Sequence, residues 1–240
     1  MKPLVIIKAG STFPATKHKY GDFEDWVIDG CASTDPIFSV IDAIFSQELP
    51  ESDCISGVII TGSHAMVTDQ VLWMLKLEAW VRNILEMNIP LLGICFGHQI
   101  LAQAMGGVVD YHSGGREIGT VPITLTQAGK QDRLLGALPA VFMGHTTHAQ
   151  TVKKLPAGAQ LLAQNSFEPH HAYRIGKNAW GVQFHPEFTA SIMNDYVNEQ
   201  CDALINSGQD VKTLQSSIRN TDKANGLLNR FIEYVLDNEN

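Results

Sequence analysis

The chain has 240 residues, 45% of them hydrophobic and 18% charged, enough apolar material for one sizeable globular α/β domain with a proper core. Its formal net charge of −8 argues against a nucleic acid or an anionic membrane surface as the main partner, because both reward a positive face. Cysteines at 31, 54, 95 and 201 are spaced too widely for a zinc knuckle or a redox pair, and read as reduced thiols.

Residues 4–7 form a short apolar run without the length or cleavage site of a secretory leader, so they read as a first strand of a cytoplasmic protein. Nowhere do the roughly 18 uncharged apolar residues of a bilayer-spanning helix follow one another. Periodicity predicts a helix over residues 36–47, a strand over 57–61, and a helix over 71–87 with Leu72, Leu75, Ala79 and Leu85 on its apolar stripe. A strand over 90–94 and a helix over 99–105, stopped by Gly106 and Gly107, complete a β, α, β, α, β, α order. Further strands are predicted over 121–125, 140–143, 161–163 and 180–184, and helices over 191–204 and 224–236. Continuous apolar runs suit strands covered on both faces of a parallel sheet. Residues 121–126 alternate as a half-exposed antiparallel strand does, so the sheet is expected to be mixed. No repeat, low-complexity tract or linker divides the chain, which reads as a single domain over 1–240 with a helical tail from about residue 190.

The most informative stretch is the apolar strand ending in Gly93-Ile94-Cys95-Phe96-Gly97, followed by a helix. Glycines two residues either side of Cys95 permit the sharp strand-to-helix turn that lifts a nucleophile clear of a sheet. The helix N-terminus beyond it favours the thiolate, and the Phe96 amide points toward the place where an oxyanion would form. A cysteine that merely fills a core has no need of the two glycines. A second strand ends at Phe184-His185-Pro186-Glu187. Proline stops the ladder there, so Glu187 can fold back on the imidazole and set its tautomer. Cys95, His185 and Glu187 thus read as nucleophile, general base and acid, and stabiliser of the imidazolium. His145 and His148 lack the spacing and glutamate of a zinc-protease helix, and His170 and His171 show no partner in the sequence, so neither a metal nor a cofactor is expected. Residues 114–119, Gly-Gly-Arg-Glu-Ile-Gly, read as a turn opening a strand rather than a phosphate loop.

Gly93-Ile-Cys-Phe-Gly-His-Gln99 and Gln183-Phe-His-Pro-Glu187 resemble the signature blocks of the class I glutamine amidotransferases, in the family's order and separation. The resemblance runs from Met1 to about Glu187, and the helical tail is similar to that of free-standing, GMP-synthase-like members. It implies a flavodoxin-like α/β fold, a mostly parallel but mixed central sheet flanked by helices. A third block, Ile59-Ile-Thr-Gly-Ser-His-Ala65, resembles the family's glycine turn and implies an oxyanion hole at Gly62, Ser63 and Phe96, with His64 at the usual proline. A fourth, over residues 144–156, resembles the family's Ser-His-Gly-Asp-x-Val segment, with His148 at the histidine, Ala149 at the glycine and Gln150 at the aspartate. Backbone there holds the substrate's amino-acid end in relatives. The implied substrate contacts are therefore Gln99, Thr147, His148, Ala149 and Gln150.

The chemistry implied by the resemblance is attack of the Cys95 thiolate on the side-chain amide of glutamine, release of ammonia, and hydrolysis of a γ-glutamyl thioester. The chain has neither a Walker loop nor a Ser-Gly-Gly-x-Asp-Ser pyrophosphatase loop, so an ammonia acceptor is expected on another chain, such as a separate synthetase subunit. Altered residues Ala149 and Gln150 keep a second reading open, a stand-alone hydrolase of γ-glutamyl peptides or amides. A non-catalytic binding relative is a third reading, which the full set of motif residues disfavours. A small-molecule substrate is expected under the first two readings, with no nucleic acid and no membrane.

Overall fold

The computed structural model describes residues 2–31, 36–45 and 48–239. The first half runs β1 (Leu4–Lys8), α1 (Pro14–Tyr20), α2 (Phe23–Asp29), β2 (Phe38–Asp42), β3 (Gly57–Ile60), α3 (Leu72–Glu86), β4 (Leu91–Ile94) and α4 (Phe96–Ala104). Next come β5 (Val108–Tyr111), β6 (Glu117–Leu125), α5 (Gln127–Lys130), β7 (Val141–His148), β8 (Gln150–Lys154), β9 (Gln160–Gln164), β10 (Ala172–Ile175) and β11 (Ala179–Val182). The tail holds α6 (Ala190–Glu199), α7 (Cys201–Asn206), α8 (Val211–Ser217) and α9 (Asp222–Glu239). No helix among the described residues is long and apolar enough to cross a membrane.

One nine-stranded sheet runs β2-β1-β3-β4-β11-β10-β9-β6-β7, and β5 pairs with β8 in a small separate sheet. Pairing is parallel from β2 to β11 and antiparallel from β11 to β7, so the sheet is mixed. Every residue of β1, β3, β4 and β11 is buried, because helices cover both faces of the parallel half. Successive side chains of a strand enter opposite faces. Leu4 and Ile6 therefore pack with Val27 of α2 and Leu227, Phe231 and Val235 of α9, while Val5 and Ile7 pack with Met74, Leu77 and Val81 of α3 and Ile100 of α4. In β6, Ile123 and Leu125 are buried while Pro122 and Thr124 are exposed, the expected alternation of an antiparallel strand with one wet face. A third apolar cluster joins Phe23 and Trp26 of α2 to Phe188 and to Ile192, Met193 and Tyr196 of α6, and this holds the tail beside the carboxyl ends of the central strands.

Three expectations are corrected. Within residues 36–47 the chain is not helical where it is described: Phe38–Asp42 is the edge strand β2, paired in parallel with β1 from Leu4↔Phe38 onward, and Ser46 and Gln47 lie outside the described residues. A short run with apolar residues at both spacings does not decide its own period, and an open sheet edge decided it here. The crossover between the first two strands is made instead by α1 and α2. Their signals were present: Pro14 in the first turn of α1, and Asp22 capping α2 in a reciprocal box with Asp25. On α3 the core face is Met74, Leu77, Val81 and Ile84; Leu72, Leu75 and Ala79 are exposed and Leu85 is half-buried. That helix carries apolar residues on two faces, and only docking selects one. The predicted helix over 191–204 is two, α6 and α7, broken at Gln200.

Candidate active site

Cys95 follows β4 directly and precedes the first residue of α4, with φ 50° and ψ −98°, a backbone conformation that L side chains rarely adopt. The flanking glycines serve close approach rather than positive φ. A Cβ on Gly93 would stand 2.3 Å from the Gly97 carbonyl oxygen, and one on Gly97 would stand 2.4 Å from the Ile60 carbonyl oxygen. The turn is therefore locked between β3 and the start of α4, while Cys95 carries the strain. Its amide donates to the Val182 carbonyl at 2.9 Å, which ties the turn to β11, and its Sγ lies 3.9 Å from the Thr147 carbonyl oxygen.

His185, three residues beyond β11, is held on every side. Its backbone N–H donates to the His145 carbonyl at 2.8 Å, and its ring stacks on Phe188 with centroids 4.1 Å apart. Nδ1 sits 2.7 Å from Glu187 Oε1, and both side chains are almost fully buried. Nε2 is buried without a hydrogen bond of good geometry, and Cys95 is the other group that acts on the ring. Burial works against the imidazolium, but the charge of Glu187 and then that of Cys95 outweigh it, raising the His185 pKa to about 10. Gly62 leaves room for this ring, since a Cβ there would stand 3.0 Å from His185 Cε1.

A cavity of about 380 Å³ opens over Cys95, within the size range of roughly 300–1,000 Å³ that encloses small-molecule ligands. Ser63 and Phe96, two of the expected oxyanion donors, line it together with Cys95 and His185. As the first residue of α4, Phe96 has an N–H with no intrahelical acceptor. The expected contacts Gln99, Thr147, His148, Ala149 and Gln150 line the same cavity. Several of their polar atoms are already engaged. Gln99 Nε2 donates to the Gln150 carbonyl at 2.8 Å and to Gln183 Oε1 at 2.9 Å, and Gln150 Nε2 donates to Thr68 Oγ1 at 2.6 Å.

A family model described as glutamine amidotransferase class-I matches residues 36–202. The chain belongs to this family. It is 33% identical over 163 residues to gamma-glutamyl peptidase 4 of Arabidopsis thaliana, a match covering 67% of this chain and 64% of the relative. It is 37% identical over 143 residues to a glutamine-hydrolyzing GMP synthase of Porphyromonas gingivalis, covering 59% of this chain and 27% of that protein. The matches thus span less than two thirds of either relative's length. The crystal structure of a glutamine amidotransferase from Thermotoga maritima superposes with a TM-score of 0.78 at 21% identity, covering 99% of this chain and 100% of that one, and so shares the fold. A glutamine amidotransferase from Methylobacillus flagellatus gives a TM-score of 0.71 at 26% identity, covering 99% and 93%.

Around this candidate site lie features that the sequence did not disclose. His148, at the family's histidine, lines the cavity with both ring nitrogens engaged in a buried network: Nδ1 is 2.9 Å from the Gln150 carbonyl oxygen, Nε2 is 3.1 Å from Glu117 Oε2, and Asn165 Nδ2 donates to Glu117 Oε1 at 2.7 Å. His171 does have a partner, with Nε2 3.2 Å from the same Glu117 oxygen, and His170 Nδ1 lies 2.6 Å from the Val152 carbonyl. Burial opposes the Glu117 charge, yet the bonds to His148 and His171 hold its carboxyl well below the usual range. The tail adds a wall. Tyr196 and Gln200 line the cavity, with Gln200 Nε2 3.3 Å from Thr147 Oγ1, and so does Arg116 from the turn before β6. His64, at the family's proline, stands at the mouth with its ring 4.3 Å from that of Phe13.

Proposed function

We propose that this chain is a cysteine-dependent amide hydrolase that releases ammonia from glutamine for an acceptor carried by another chain. The observation that carries the proposal is the strained Cys95 turn, set in one cavity with a His185 ring that Glu187 holds by Nδ1. With its pKa raised to about 10, His185 carries at neutral pH the proton that the leaving amine takes up. The thiolate attacks the side-chain amide carbonyl, and the oxygen that gains charge is met by backbone N–H groups at Ser63 and Phe96. Preorganised donors of this kind are commonly worth about 3–4 kcal/mol of barrier each. The C–N bond then breaks as His185 delivers its proton to the leaving amine. A water deprotonated by His185 next attacks the γ-glutamyl thioester, releasing glutamate and restoring the thiol.

A stand-alone γ-glutamyl peptide hydrolase is the second reading, favoured by the match of 67% of this chain to a relative named gamma-glutamyl peptidase. The two share the thioester and differ in the leaving group. A separate synthetase subunit is the partner that the first reading calls for, and a cytoplasmic setting suits the four unpaired thiols. Ammonia and amine release by the purified chain should be measured on glutamine, γ-glutamyl dipeptides and glutathione conjugates, beside Cys95→Ser. Turnover of glutamine that Cys95→Ser abolishes supports the first reading, and turnover confined to the peptides supports the second. Equal turnover by both proteins refutes the cysteine chemistry.

A further inference from the structure

The catalytic cavity contains a charge that the proposed chemistry does not use. Arg116 stands in the turn that opens β6, one residue before Glu117, which pairs in register with His148 of β7. It therefore lies beside the Thr147 to Gln150 segment, on the wall of the cavity that holds Cys95. Among the described residues no carboxylate lies within ion-pair distance of its guanidinium. The side chain is half-buried, and Glu199, an acidic residue of the cavity wall, is exposed and makes no ion pair with it. Burial disfavours the Arg116 charge, while the charge of Cys95 is close enough to support it. A guanidinium kept charged at a half-dry site without a carboxylate is costly unless a ligand supplies one. The neighbouring polar groups do not compete for that task, because the amides of Gln99 and Gln150 are already engaged within the protein.

We infer that Arg116 is the anchor for the α-carboxylate of the γ-glutamyl group whose side-chain amide is presented to Cys95, an inference that rests on the amide-hydrolase reading. The guanidinium fork matches a carboxylate with two parallel N–H···O bonds, and a carboxylate held there fixes the amino-acid end while the scissile amide reaches the nucleophile. Arg116 acts on binding and position, not on the bonds that change.

Arg116→Gln and Arg116→Lys test this on three amides: glutamine, glutaramic acid, which keeps the carboxylate but lacks the α-amino group, and 4-aminobutyramide, which lacks the carboxylate. Loss of a hydrogen-bonded charge predicts a fall in kcat/KM of about 10- to 150-fold for the first two with Arg116→Gln, carried mainly by KM, and no change for 4-aminobutyramide. Arg116→Lys, which keeps the charge without the fork, should fall between. A second readout is the ratio of Cys95 alkylation rates with iodoacetate and iodoacetamide, followed by peptide mass spectrometry. Both reagents need the same thiolate and meet the same His185, so the change in this ratio between the native chain and a variant reports the charge at Arg116, and it should drop in Arg116→Gln. Equal losses on all three amides, a loss that follows a carboxylate on the leaving group of γ-glutamyl peptides instead, or an unchanged alkylation ratio would each overturn the assignment. If the native chain turns over none of these amides, the hydrolase reading fails, and the alkylation ratio still decides whether Arg116 recruits an anion.

Discussion

Replacing Cys95 by alanine and by glycine separates the thiol from the strain of its backbone. Both variants lack sulfur, and they differ only in Cβ. At φ 50° and ψ −98° a residue with Cβ pays about 1–3 kcal/mol, whereas glycine adopts positive φ freely. Glycine's greater freedom in the unfolded chain returns about 0.5–1 kcal/mol of that difference. Cys95→Gly should therefore be more stable than Cys95→Ala by about 1 kcal/mol, or about 2–4 °C in Tm for a chain of this size. Thermal and urea unfolding of the two variants measure it. Ala102→Gly, in the buried middle of α4, is the opposite-sign control and should cost about 1 kcal/mol. A Cys95→Gly protein less stable than Cys95→Ala would refute the account of a strained nucleophile turn, whatever the activity of the native chain.

Cys95→Ser should abolish amide hydrolysis with the fold retained, because a serine hydroxyl is far harder to deprotonate, whereas Cys31→Ser, Cys54→Ser and Cys201→Ser should leave turnover intact; a selective loss at any of the three would contradict the assignment. Burial pushes the Cys31 thiol up to about 12, so iodoacetamide at neutral pH should leave it unmodified. Glu187→Gln should reduce kcat by about 10- to 150-fold, less than the loss of about 10²–10⁴-fold or more expected for His185→Ala, since the amide still orients Nδ1 but offers no charge; equal losses in a steady-state assay would count against this division of roles. The His185 pKa is raised on folding, so its contribution to stability is fully present below about 6.5 and is lost as pH rises through about 10; denaturation at pH 6 and pH 10 should show a smaller difference in Glu187→Gln than in the native chain. Glu117 is shifted the other way, so its contribution is present above about 4.5 and disappears on acidification; an acid limb unaltered by Glu117→Gln would show that the His148 and His171 network contributes nothing.

What the sequence by itself determined is local. The Cys95 turn needs only residues 93–97, and the His185–Glu187 pair only residues 185–187, so both are written within a few positions of the chain. The central strands were legible for a related reason: burial on two faces leaves an uninterrupted apolar run in β1, β3, β4 and β11. Tertiary structure decided what depends on distant partners. The edge of the sheet turned Phe38–Asp42 into a strand, and docking chose Met74 and Leu77 over Leu72 and Leu75 as the buried face of α3. The same holds for the cavity wall. Arg116, Tyr196 and Gln200 come from the turn before β6, from α6 and from the break between α6 and α7, far in sequence from Cys95, and no spacing rule relates them to it. Their roles follow from packing, because a side chain's access to a cavity and its supply of counter-charges are properties of the folded neighbourhood, not of the residues beside it in the chain.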